Sequence, residues 1–131
     1  MTTKEFTLTI TLPANAEEIF DAWLSSEGHA NITGSPAQVD GSVGGKFSAW
    51  DGYIWGTTLE MERPRKILQA WRTSEFPEDA PDSMVEIIFE KTKGGTKLSL
   101  RHWQMPEGQE ESYKQGWEDF YFKPMQEYFA E

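Results

Sequence analysis

Histidine is the side chain whose charge changes nearest neutral pH, and it occurs twice, at His29 and His102. Cysteine does not occur, which excludes a thiol nucleophile, a thiolate metal site and a disulfide framework. His102 falls near the end of an alternating segment, on the same side as Leu98 and Leu100. Inside a cavity it would be a general acid or base, with Tyr53 and Glu118 as the other candidate groups. No second catalytic group stands near it in sequence, so a core histidine with a satisfied hydrogen bond is the more economical reading. His29 lies in a short helical segment and reads as a surface or rim residue. Two histidines and scattered acids give no metal-ligand spacing, so no metal is expected. The glycine-rich stretch from Gly41 to Gly45 lacks the ending of a phosphate loop and reads as a turn. No cofactor is expected.

The aromatic residues say more. Trp50, Trp55, Trp71, Trp103, Trp117 and Tyr121 are spread over the expected strands and the last helix. One reading is that these rings fill the core. The other is that some of them line a pocket for an apolar or aromatic ligand. The candidate wall is Ile54, Gly56, Trp71, Phe89, Leu100, His102, Trp117 and Tyr121. Gly56 belongs to it because a missing side chain leaves room, or lets another backbone approach.

The elements that position these residues follow from periodicity. Phe6, Leu8, Ile10 and Leu12 alternate with threonines, which predicts a half-buried strand ended by Pro13. Asn15 and Glu18 form a capping box ahead of Ile19, Phe20, Trp23 and Leu24, a short amphipathic helix. A second short helix fits Ser26 to Ile32, stopped by Gly34 and Pro36. From Ala37 the pattern is β, with turns at Gly44-Gly45, Asp51-Gly52, Arg63-Pro64-Arg65 and Gly94-Gly95. Strands are expected over Lys46–Trp50, Tyr53–Glu62, Lys66–Thr73, Met84–Lys91 and Lys97–Trp103. In the second of these, Tyr53, Trp55, Leu59 and Met61 share one face, and Ile54, Gly56 and Thr58 the other. A long helix is expected over Glu110–Ala130, kinked by Pro124. Its apolar face is Tyr113, Trp117, Phe120, Tyr121, Pro124 and Tyr128. The order predicts an α+β fold: a curved antiparallel sheet of six to seven strands wrapped around a long C-terminal helix, with two short helices after the first strand.

The chain has 131 residues, 37% of them hydrophobic and 14% aromatic, which suits one domain over residues 1–131. The net charge of −10 disfavours nucleic acid and anionic membranes and favours basic partners. No signal-type segment or membrane-length apolar run is visible, so a cytoplasmic protein is expected.

One ordered set of residues is familiar. Gly44-Gly45-Lys46-Phe47, Asp51-Gly52, Gly56, Pro64, Trp71-Arg72, Pro106 and Gly116-Trp117 resemble the Aha-type family, named for activators of the heat-shock protein 90 ATPase. That family lies within the START-like, birch-pollen-allergen-like helix-grip superfamily. The likeness runs from about Thr11 to Phe129. It implies a helix-grip fold whose C-terminal helix lies across the concave sheet face and often leaves a cavity. Relatives include co-chaperone domains, binders of hydrophobic ligands, and polyketide cyclase or aromatase proteins. Eukaryotic activators carry a further domain ahead of this one, which the chain is expected to lack. The expected function is a non-enzymatic binding module. Its partners would be a hydrophobic small molecule or a chaperone or client protein. The alternative is a cyclase-like or hydrolase-like enzyme using the same cavity.

Overall fold

The computed structural model describes residues 5–130. The reading of the first four residues as free of a targeting signal lies outside that range. The chain runs β1 (Glu5–Leu12), α1 (Ala16–Trp23), α2 (Ser26–Thr33), β2 (Gln38–Val39), β3 (Lys46–Ala49), β4 (Ile54–Glu62), β5 (Lys66–Thr73), β6 (Ser83–Thr92) and β7 (Gly95–Trp103). It ends with α3 (Glu110–Trp117), a π-helical turn (Glu118–Phe122) and α4 (Lys123–Phe129). The strands form one antiparallel sheet in the order β1-β7-β6-β5-β4-β3-β2. This is the α+β architecture the sequence predicts.

Local chemistry sets the boundaries. Asn15 caps α1 by accepting the amide of Glu18 at 2.7 Å, and Ser25 caps α2 through the amide of Gly28 at 2.8 Å. Gly34 ends α2 in a left-handed conformation at φ 77°. Strand alternation follows the sequence pattern. Ile67, Val85, Ile87, Leu98 and Leu100 are buried to near completion on the concave face. Two features bend the sheet at β4. The β4–β5 register shifts between Thr58 and Glu60, and such a bulge sharpens curvature. Two residues earlier, a Cβ on Gly56 would lie 1.9 Å from the Ala70 carbonyl oxygen and 2.8 Å from the Phe47 ring. Gly56 thus serves close approach of β5 and Phe47.

The C-terminal helical segment departs from its expected face. The Lys123 amide reaches back to the Glu118 carbonyl, a bond spanning five residues. This wider turn stands just before Pro124, whose ring in an α-helix would strike the carbonyl four residues earlier. The extra residue shifts the phase of everything that follows. Tyr113, Trp117 and Tyr121 face the sheet as expected, but beyond them Phe122, Met125 and Phe129 are buried. Phe120 and Tyr128, placed inward by an unbroken 3.6-residue period, are 57% and 45% exposed. The helix also stops at Phe129, since Ala130 is extended. Among the described residues no helix is long and apolar enough to cross a membrane.

Candidate functional site

A cavity of about 250 Å³ opens between the sheet and α3. The β3–β4 turn supplies Trp50 and Tyr53, β4 supplies Ile54 and β5 supplies Trp71. From the other side come Ser112, Tyr113, Gly116 and Trp117 of α3, with Phe120 and Tyr121 of the π turn. Seven of these ten residues are aromatic.

Backbone geometry explains the position of several rings. Trp50 and Asp51 sit at φ 55° and 57°, and Gly52 at 91°. A left-handed tryptophan is disfavoured by its Cβ, and it is held here by the turn bonds. The Asp51 amide donates to the Pro36 carbonyl at 3.1 Å, and the Tyr53 amide to the Trp50 carbonyl at 3.2 Å. Trp50 then packs edge-on against Phe120 and Tyr121, with ring centres 5.6 Å and 6.1 Å away. On the helix, Ser112 and Gly116 are one turn apart and leave the face over the cavity bare. A Cβ on Gly116 would meet only the Phe120 ring, at 3.9 Å.

The phenol hydrogens around the cavity point into protein. Tyr53 donates to a Glu75 carboxylate oxygen, and burial pushes its phenol up to about 12. Tyr113 donates to Gln109 Oε1 at 2.6 Å and has Thr73 Oγ1 beside it at 2.8 Å; burial raises its pKa too. Tyr121 lies 2.8 Å from His29 Nε2. The other ring nitrogen, His29 Nδ1, is 3.0 Å from the Trp23 carbonyl. A carbonyl only accepts, so Nδ1 carries the proton and Nε2 accepts from Tyr121. Complete burial raises the Tyr121 pKa, and burial lowers that of His29. His29 is therefore a core residue, not the surface or rim residue its helical position suggests.

His102 is fixed by the same logic. Trp117 Nε1 donates to His102 Nδ1 at 3.0 Å. The proton must then sit on Nε2, which faces Ser83 Oγ at 2.8 Å. Ser83 passes its own hydrogen to the Trp71 carbonyl at 2.8 Å. The imidazole has no exposed surface, and burial pushes its pKa down to about 3. Ser83 and His102 are within nucleophile–base distance, but the imidazole lone pair is taken by Trp117 and its N–H points at the serine. The pair is wired against proton abstraction.

Of the eight residues expected to form the wall, Ile54, Trp71, Trp117 and Tyr121 line this cavity. Gly56, Leu100 and His102 are buried without lining it, His102 directly behind Trp71 and Trp117, and Phe89 lines a second depression instead. Trp50, Tyr53, Ser112, Tyr113, Gly116 and Phe120 complete the lining. Tyr53 precedes the first residue of β4, so strand alternation says nothing of where it points. The small pair Ser112 and Gly116, spaced i, i+4 in a stripe of bulky rings, is the sequence signal that marks the space. Glu118 does not line the cavity. Among the described residues no group of three His, Asp or Glu side chains is placed to hold a metal.

A wider depression, about 740 Å³, lies between the β6–β7 turn and the start of α1. Its walls are the end of β6, the start of β7, the start of α1 and their loops, with charged side chains such as Glu90, Lys91 and Lys93 and Phe89 as the one aromatic ring of its lining.

Residues 13–130 match the family model of Activator of Hsp90 ATPase homolog 1-like proteins. The chain belongs to that family. The human Activator of 90 kDa heat shock protein ATPase homolog 1 is 28% identical over 128 residues, covering 98% of this chain and 38% of the human protein. The mouse Activator of 90 kDa heat shock protein ATPase homolog 2 is 31% identical over 116 residues, 88% of this chain and 35% of the relative. The chain thus spans less than two-fifths of the curated relatives it matches. Among solved structures, an HSP90 activator from Plasmodium falciparum superposes with a TM-score of 0.85 at 29% identity. That match covers 98% of this chain and 96% of the other.

Proposed function

We propose that this member of the family works by binding and not by catalysis, and that a compact apolar or aromatic molecule occupies the cavity between the sheet and α3. Gly116 carries the reading. Glycine inside a helix costs roughly 1 kcal/mol against alanine, and nothing packs against the position to require it. The space left by its missing side chain opens into the cavity. The cavity's phenols all have raised pKa values, and its neighbouring imidazoles are neutral and fully bonded. No group at the site is poised to exchange a proton near neutral pH, which supports binding over acid–base chemistry. The test is a tryptophan-fluorescence and thermal-shift screen of small aromatics and short apolar compounds, run in parallel on Gly116→Leu. The leucine should fill the space, keep the fold and abolish any response. A ligand response unchanged by Gly116→Leu would remove the cavity from the account.

The likeness to known activators supports a second reading. We infer that a heat-shock chaperone of the HSP90 type is a protein partner of this domain. What supports it is the likeness to the chain of the Plasmodium falciparum HSP90 activator, matched over 96% of that chain at 29% identity. The assay is the ATPase rate of a purified HSP90 chaperone with increasing amounts of this protein. An unchanged rate, with no complex detected by sedimentation, would sink this reading without touching the first.

A further inference from the structure

The rings of the cavity form a tilted row closed by edge-on rings at both ends, a box open on the side of Trp50, Tyr53 and Phe120. Trp71, Trp117 and Tyr121 make a tilted row, with successive centres 5.6 Å and 4.8 Å apart. Tyr113 stands at 82° to Trp71 at one end of that row, and Trp50 at 82° to Tyr121 at the other. Hydrogen bonding makes several of these rings electron-rich. Tyr53 gives its hydroxyl hydrogen to the Glu75 carboxylate, Tyr121 to His29 and Trp117 its N–H to His102. A donated hydrogen raises negative charge on the ring that donates it, and the same donation leaves no phenol hydrogen facing a ligand.

No lysine or arginine lines the cavity. Arg72, on the neighbouring strand position, is turned away. Its guanidinium is bonded to Asp82 at 2.8 Å and lies 5.3 Å from the centre of the Phe76 ring. Glu75 is exposed behind Tyr53, and the whole chain carries a charge of −10. An electron-rich aromatic box without a resident cation, in an acidic protein, attracts positive charge through the ring quadrupoles and the net field. The volume of about 250 Å³ falls below the usual range for drug-sized ligands, about 300–1,000 Å³, which selects something compact.

Building on the binding reading above, we propose that the preferred occupant is a compact organic cation: a quaternary or fully alkylated ammonium group held by cation–π contact inside the box, with Glu75 behind Tyr53 adding long-range attraction. The experiment compares choline with its neutral carbon isostere, 3,3-dimethylbutan-1-ol, by calorimetry and tryptophan fluorescence. The two probes have nearly the same shape and differ in charge. Choline should bind at least tenfold more tightly. The preference should shrink severalfold at high salt and in Glu75→Gln, a surface change that leaves the fold intact. Gly116→Leu should abolish binding of both. Equal affinity for the two probes, or binding of the alcohol alone, overturns the cation preference and leaves the apolar-ligand reading standing. Choline binding that survives Gly116→Leu places it outside the box and overturns the proposal. No response to either probe at tens of millimolar overturns it as well.

Discussion

Lowering the pH from 7 to 5 should weaken this protein through one buried imidazole. His102 accepts the Trp117 N–H on Nδ1 and gives its own proton towards Ser83. A second proton could enter only at Nδ1, against the indole hydrogen and without solvent. The folded pKa is accordingly depressed from 6.5 to about 3. The sign follows. Below pH 6.5 the unfolded chain binds a proton that the folded chain refuses, so stability is full above 6.5 and falls as the pH drops towards 3. Each pH unit in that window is worth about 1.4 kcal/mol, so about 2 kcal/mol is lost by pH 5. That is a sizeable part of the roughly 5–15 kcal/mol available to a small domain. His29, also depressed by burial, acts in the same direction. The carboxylates held low by cationic partners, such as Glu5 and Asp21, contribute only at lower pH, so the window from 7 to 5 isolates the histidines. Urea denaturation at several pH values measures the slope, and NMR of the imidazole carbon-bound protons reads the folded pKa. His102→Gln keeps an acceptor and a donor without titrating, and should flatten the slope by about 1.4 kcal/mol per pH unit. A His102 signal titrating near 6.5 in the folded protein, or a stability unchanged between pH 7 and 5, would refute the assigned tautomer and its burial.

Three substitutions test other parts of the construction. Trp117→Ala removes a ring that packs on Trp71 and Tyr121 and strands the His102 acceptor; a loss of about 3–5 kcal/mol in chemical denaturation is expected, and less than about 1 would mean the ring is not packed. Gly56→Ala should lose about 3 kcal/mol, because the new methyl meets the Ala70 carbonyl, and a neutral result would contradict the close approach of β5. Gly116→Ala should instead gain about 0.5–1 kcal/mol, read as a higher melting temperature, and destabilisation there would show that the position is crowded.

Much of this was open to reading in the sequence because it rests on short-range rules. Alternation in Phe6–Leu12 and in Met84–Lys91, the Asn15 cap and the paired glycines between strands each fix an element from neighbours within a few residues. The C-terminal face failed for a reason of the same kind. Pro124 announces a disturbance, but a kink and a π turn are alternative responses to it, and only the π turn shifts the stripe from Phe120 and Tyr128 to Phe122 and Phe129. The site was half visible. Large rings on inward-facing strand positions were identifiable, whereas their division between cavity and core depends on how far the helix stands off the sheet. The open part of that gap lies under Ser112 and Gly116, residues with no ring to attract attention. His29 shows the opposite error: a polar residue on a weakly amphipathic helix is buried because Tyr121, 92 positions away, supplies its partner.

Three departures from the least strained choice meet at one place. Gly116 forgoes about 1 kcal/mol of helix stability. Trp50 occupies left-handed space at a cost of about 1–3 kcal/mol. The π turn abandons α-helical geometry where Phe120 and Tyr121 reach the cavity. Each has a local alternative: an alanine at 116, a glycine in the turn, a non-proline at 124. Other departures are scattered: the β4–β5 register shift between Thr58 and Glu60, a left-handed Gln104 at φ 70°, and a buried Thr92 hydroxyl without a hydrogen-bond partner. If the domain needed only to be stable, relaxing these three positions would serve it better. Their coincidence around a single aromatic box is what selection on an open cavity would leave, and it ties the local strain of the chain to the space it encloses.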